Sequence, residues 1–178
     1  MADPDREMLS CREGFRTIWL AQNGDVRIID QRKLPHDYVI ANLETWQDGC
    51  LAISDMLVRG APLIGATAAY SLYLAARSGG RAEFDRASAA LAESRPTAVN
   101  LRWAIDKGRE VFASSTGRPD TERIGHLLDW AKRLHAEDIE ANRKMGAYGA
   151  ELFEEGNRVL THCNTGSLAT AGYGTALG

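Results

Sequence analysis

Val159-Leu160-Thr161-His162-Cys163-Asn164-Thr165-Gly166-Ser167 has the pattern of a strand giving way to a helix. Val159-Leu160 reads as a short buried strand entered from the turn residues Glu155-Gly156-Asn157. Thr165-Gly166-Ser167 supplies small residues and a helix start. Between them stand His162, Cys163 and Asn164, polar and reactive side chains at the point where the strand ends. In open α/β sheets, ligands bind outside the carboxyl ends of strands. Cys163 is therefore the chain's best candidate for a nucleophile or acid/base group, with a buried inert thiol as the even alternative on the residues alone. A lone parallel strand cannot bury its faces without neighbours and crossover helices. The expectation is that the sequence is the N-terminal portion of a longer protein, ending soon after a first sheet strand.

The rest of the composition narrows the class. With 44% hydrophobic and 25% charged residues, the 178-residue chain is globular. The net charge of -3 comes from interspersed signs, and no basic block points to nucleic acid. No run approaches the eighteen or so apolar residues that a membrane span needs. Met1 to Glu7 holds no apolar signal core. The cysteines, Cys11, Cys50 and Cys163, are odd in number and far apart, which argues against a disulfide framework and for a reducing, cytoplasmic setting. No metal spacing is present, since His162-Cys163 has no second cluster. Neither a G-x-G-x-x-G after a strand nor a P-loop occurs.

Upstream, Thr17–Leu20 and Val26–Asp30 flank Asn23-Gly24, the strongest short hairpin signal. Leu43, Trp46, Cys50, Ile53 and Leu57 recur at helical spacing, which makes Cys50 a small core residue. Arg59-Gly60-Ala61-Pro62 then turns into a helix of small and apolar residues to about Ala76. An arginine before a helix N-terminus suits an anion, although the turn by itself reads as an ordinary corner. After the Ser78-Gly79-Gly80 break comes a short helix over Phe84–Glu93. Pro96 forces Arg95 out of the helical region, and Thr97 is placed to cap the next helix. Arg95 is thus a second arginine at a helix-initiating turn, with a solvated surface position as the plainer reading. From Thr121 to about Glu155 the pattern is one long helix, on which His126 and His135 read as solvated or capped.

Three stretches together go further than composition: Val58-Arg59-Gly60-Ala61-Pro62-Leu63-Ile64-Gly65, Arg95-Pro96-Thr97-Ala98-Val99-Asn100-Leu101, and Thr161-His162-Cys163-Asn164-Thr165-Gly166-Ser167 with the tail to Gly178. In this order and spacing they resemble the methylthioribose-1-phosphate isomerase family, and Asp30-Gln31-Arg32-Lys33-Leu34-Pro35 and Glu137-Asp138-Ile139 look like it too. The resemblance implies an α+β N-terminal domain, a β-hairpin plus helices, over residues 1–156. This leads into the first strand of a Rossmann-like α/β domain that begins at residues 157–178. It implies an aldose–ketose isomerase of methionine salvage, with Cys163 catalytic and Arg59, Gly60, Ala61 and Arg95 binding the substrate. The partner aspartate would lie beyond Gly178, and the complete protein would be a homodimer. No cofactor or metal is implied, because the reaction has no net redox change. Ribose-1,5-bisphosphate isomerases and the regulatory subunits of an initiation-factor exchange complex are the related alternatives.

Overall fold

Two antiparallel strands form where Asn23-Gly24 turns the chain. β1 (Ile18–Leu20) pairs with β2 (Val26–Ile29) in the register Ile18 to Ile28 and Leu20 to Val26. Asn23 Oδ1 accepts the Asp25 N–H at 3.1 Å, and Gly24 takes the left-handed φ of 85° that the tight turn requires. The computed structural model describes residues 15–178; Cys11 lies outside them. A third strand, β3 (Ile40–Leu43), lies antiparallel on the other edge of β2. This corrects the sequence expectation, which put Leu43 on a helix. Thr45 is the reason. Its hydroxyl accepts the Asp48 N–H at 3.2 Å while Asp48 accepts the Thr45 N–H at 2.8 Å. This reciprocal cap starts α1 (Trp46–Ser54) after the strand. Leu57 also falls outside the helix, in the turn that follows.

The sheet and α1 pack against α2 (Ala61–Ser94), the central element. Every residue from Leu63 to Ala76 is buried. The helix is broken at Gly79-Gly80, where Gly80 has φ 59° and ψ -138°, at the break the sequence announces. Arg77 fastens the hairpin turn to α2 by pairing with Asp25 at 2.9 Å, which holds the Asp25 carboxyl below its usual range. α3 (Val99–Ser114) and α4 (Asp120–Ala150) cover the remaining sides of α2. Phe84 and Phe112 stack at 4.3 Å between the second half of α2 and α3. Cys50 packs against this core, and burial pushes its thiol up to about 11, so it stays an unreactive thiol. No helix among the described residues is long and apolar enough to cross a membrane.

Three further expectations change. Val159 and Leu160 form no strand; they are 59% and 99% exposed. A strand exists only where a neighbour takes its hydrogen bonds, and no described residue does so here. The predicted helix start after Thr165 is a single 3-10 turn, Ser167–Ala169. His135 is not solvated but 5% exposed on α4, its Nδ1 at 3.4 Å from the Tyr70 hydroxyl of α2. Arg16, Lys132, Glu140 and Arg143 line the cleft of about 930 Å³ on which His135 also borders.

Burial, with a smaller push from the charge of Arg16, lowers the His135 imidazole to about 4. The unfolded chain takes up this proton near pH 6.5. The stabilisation is therefore complete above about pH 6.5 and is lost as the pH falls toward 4, on the order of 3 kcal/mol in all. In His135→Gln, urea-unfolding free energy plotted against pH should be flatter than the parent's over that interval. Parallel curves would assign the titration to other groups.

Candidate functional site

The first turn of α2 is where the sequence motifs meet. Gly60 is its N-cap, with φ 88° and no side-chain cap, and Pro62 stands in the first turn. The leading N–H groups of a helix have no partner inside it, and the dipole makes that end positive. Arg59 precedes the turn on an exposed position. It makes no ion pair or hydrogen bond with any described residue, whereas Arg77, Arg81 and Arg86 along α2 each hold a carboxylate. Gly60 is required twice over, by its left-handed φ and by the closeness of Ala169. A Cβ at Gly60 would sit 2.5 Å from the Ala169 Cα. The Arg59-Gly60-Ala61 turn and the loop that carries Cys163 are therefore in direct contact.

The second arginine arrives from another direction. Pro96 holds Arg95 extended, at φ -150° and ψ 83°, as the sequence indicates. The Arg95 carbonyl accepts the Ala98 N–H at 3.0 Å, and α3 begins at Val99 behind an Ala98 N-cap. Thr97 does not supply the cap the sequence suggested. The start of α3 crosses α2 at Gly65, where a Cβ would lie 3.4 Å from the Asn100 carbonyl oxygen. Arg95, half-buried and likewise without a partner among the described residues, thus lies at the start of a helix that packs on the opening turns of α2.

Cys163 is exposed and adopts φ 68°. A side chain other than glycine is uncommon there and costs roughly 1–2 kcal/mol; such outliers cluster at functional sites. The Cys163 carbonyl accepts the Thr165 hydroxyl at 3.3 Å. Beyond it the loop is closed on itself: the Gly166 N–H reaches the Thr175 hydroxyl at 3.2 Å and the Ser167 hydroxyl the Tyr173 carbonyl at 2.7 Å.

What seats this loop are residues that the sequence did not mark as functional. Gln31 Nε2 donates to the Leu168 carbonyl at 2.7 Å, and the Gln31 N–H donates to the Leu57 carbonyl at 3.0 Å. Thr17 donates its hydroxyl to the Thr170 carbonyl and its N–H to the Ala171 carbonyl. Asp138 accepts the Ala171 N–H at 2.8 Å and is steadied by Asn142 at 3.1 Å. Burial pushes the Asp138 carboxyl up. Nearby, Arg32 clasps Asp30 through Nε and Nη2 at 2.9 and 2.8 Å, and this pairing holds the Asp30 carboxyl down. The only trace of Gln31 and Asp138 in the sequence was their membership of the two minor look-alike stretches. The cleft beside His135 is lined by none of Arg59, Arg95 and Cys163. No group of three or more His, Cys, Asp or Glu side chains suited to a metal occurs among the described residues.

Comparison with known proteins concerns the chain as a whole. Residues 57–175 match the initiation factor 2 subunit family. The methylthioribose-1-phosphate isomerase of Caldicellulosiruptor saccharolyticus is 43% identical over 162 residues, 88% of this chain and 47% of that protein. A putative methylthioribose-1-phosphate isomerase of Methanocaldococcus jannaschii is 46% identical over 160 residues, 90% and 45% of the two chains. Among solved structures, 5-methylthioribose 1-phosphate isomerase from Pyrococcus horikoshii superposes with a TM-score of 0.84 at 36% identity, over 97% of this chain and 49% of that one. Translation initiation factor eIF-2B subunit delta from A. fulgidus gives 0.75 at 39%, over 92% and 49%. The chain thus spans about half the length of the relatives it matches.

If the contact between the turn and the loop is as tight as Gly60 indicates, Gly60→Ala should lower the unfolding free energy by at least about 2 kcal/mol through overpacking and a strained φ. Chemical denaturation of parent and variant measures this. A loss below about 0.5 kcal/mol would mean that Ala169 withdraws freely.

Proposed function

We propose, from the premise that this chain belongs to the initiation factor 2 subunit family, that it supplies part of the site of an aldose–ketose isomerase converting 5-methylthioribose 1-phosphate to 5-methylthioribulose 1-phosphate. The observation that carries the reading is the meeting at the α2 N-terminus of an unpaired arginine turn and the loop bearing an exposed thiol. The names borne by relatives 43% and 46% identical support the substrate. Arg59, with the backbone of Gly60 and Ala61, and Arg95 bind the phosphate dianion, for which forked donors are suited. A sugar whose anomeric carbon bears phosphate cannot open simply to a free aldehyde. Ring opening is coupled to loss of hydrogen from C2 and its gain at C1. One group moves the proton and another moderates the developing charge. Cys163 takes one of these roles, and the resemblance assigns the other to an aspartate outside these 178 residues. On this reading residues 1–156 are a hairpin and helical domain and residues from 157 onward belong to a Rossmann-like one, with two copies forming the working enzyme.

The likeness to the eIF-2B subunit favours one rival, a binding subunit without catalysis. Such a protein has no need of Cys163 or of the arginine turns, so substitutions there separate the two readings. In the complete gene product, Cys163→Ser should lower kcat by about a hundredfold or more and leave substrate affinity, measured by calorimetry, nearly unchanged. Turnover within about threefold of the parent would make Cys163 a structural residue. Arg95→Lys keeps the charge but loses the fork, and kcat/KM should fall by more than about tenfold, roughly 1.4 kcal/mol; unchanged kinetics would return Arg95 to the surface. Residues 1–178 by themselves should not turn over the substrate, and measurable activity from the pure chain would overturn the need for a second acid/base group.

A further inference from the structure

Gln31 stands between the two halves of the candidate site. It follows β2, is 8% exposed, and is not in contact with solvent enough to be there for solubility. Its two hydrogen-bond donors point to different segments. The backbone N–H meets the Leu57 carbonyl at 3.0 Å, two residues before Arg59. The side-chain Nε2 meets the Leu168 carbonyl at 2.7 Å, five residues after Cys163 and next to the Ala169 that touches Gly60. A single residue therefore fastens the approach to the arginine turn with its main chain and the thiol loop with its side chain. The neighbouring Asp30–Arg32 pair, with Arg32 also 3.8 Å from Asp55, stiffens the backbone on either side of it.

We infer that Gln31 is a positioning residue, whose side-chain amide sets the distance between the Arg59-Gly60-Ala61 turn and the Cys163 loop. This rests on the isomerase reading for its consequence but not for its geometry. The chemistry of the amide is the point. A carbonyl oxygen must be met by a donor, and glutamine carries two N–H donors on Nε2 while an ionised glutamate of the same shape has none. Gln31→Glu would set a carboxylate oxygen against the Leu168 carbonyl and push the loop away. Gln31→Ala would leave that half-buried carbonyl without its protein partner. Neither change touches the backbone bond to Leu57, so the arginine turn keeps its place. The loop is displaced relative to the turn, and a small misplacement of a reacting group lowers the rate far more than it weakens binding at a separate anion site.

The test has two arms. Hydrogen exchange on the 178-residue chain reads the clamp alone. In Gln31→Glu and Gln31→Ala the amides of Ala169 and Thr170, which bond within the loop, should exchange at least about tenfold faster while the α2 and α4 amides keep the parent's protection. Kinetics on the complete gene product read the consequence. Both variants should lose at least about tenfold in kcat with KM for methylthioribose 1-phosphate within about threefold of the parent. A merely structural role would instead lower the protection of every core amide together and leave kcat per folded site unchanged. Unchanged exchange at Ala169 and Thr170, or kcat within about threefold of the parent in Gln31→Glu, would overturn the inference. A parent that binds and turns over nothing would overturn the isomerase reading and the kinetic consequence with it, while the exchange arm would still show whether Gln31 holds the loop.

Discussion

A helical stretch with no exposed face, the first turns of α2, governs this structure. From Leu63 to Ala76 every residue of α2 is buried, with the hairpin, α1, α3 and α4 packed around it. A helix apolar on all sides has nowhere to be but a core, and neighbours can close on it only where its side chains are small. Ala66, Ala68, Ala69, Ala75 and Ala76 meet that need. Of the hydroxyls on this stretch, Thr67 donates to the Leu63 carbonyl at 2.8 Å and Ser71 to the Thr67 carbonyl at 2.7 Å, while Tyr70 and Tyr73 meet His135 and the Gly24 carbonyl at 3.4 Å each, so each of these buried polar groups has a partner. Because four elements hold α2 at once, its N-terminus is fixed against all of them. The candidate site inherits that rigidity, since its turn is the one that begins α2.

The elements legible in the sequence are those with local punctuation. Asn23-Gly24, Gly79-Gly80 and Arg95-Pro96 each break or turn the chain for reasons contained in two or three residues, and the structure turns or breaks at all three. β3 was hidden because its residues do not alternate cleanly, with Ile40 and Ala41 both half-buried. The helix start after it was legible and overlooked, for Thr45-Trp46-Gln47-Asp48 is close to a capping-box signature. The burial of His135 is hidden in the sequence for a different reason. Leu127, Ala131, His135 and Asn142 recur at intervals of four and seven, the period of one helix face, and all four are buried. The face continues but changes from apolar to polar, and a polar residue on a charged helix has the sequence pattern of an exposed one.

The site divides in the same way. Arg59-Gly60, Arg95 and Cys163 sit in recognisable stretches, and their helix-initiating turns follow from Gly60 and Pro96 alone. The residues that seat the loop do not announce themselves. Thr17 reaches Thr170 across 153 positions, Gln31 reaches Leu168 across 137, and Asp138 reaches Ala171 across 33. Each bond goes to a main-chain group, so the partner's side chain carries no trace of it. A lone polar residue with a distant backbone partner looks in sequence like any surface residue.

The charges around the α2 N-terminus run against what stability by itself would select. Cations are favoured at the carboxyl ends of helices and disfavoured at their N-termini; Arg59 lies just ahead of α2, whereas Arg95 directly follows Ser94, the last residue of α2, four positions before α3 begins. Neither helix has a side-chain cap to accept its first N–H groups, unlike α1 with Thr45. Among the described residues carboxylates pair with Arg32, Arg77, Arg81, Arg86, Arg109, Arg118 and Arg123; neither Arg59 nor Arg95 is among them. Positive dipole ends, open N–H groups and unneutralised guanidinium groups are each mildly unfavourable in the empty protein. On the proposed reading a compact dianion would offset these costs at the α2 N-terminus, with Arg59 and Arg95 among its donors. On that proposal the uncapped turn that begins α2 has a use beyond the fold, and the closeness of Gly60 to Ala169 ties it to the loop that carries the thiol.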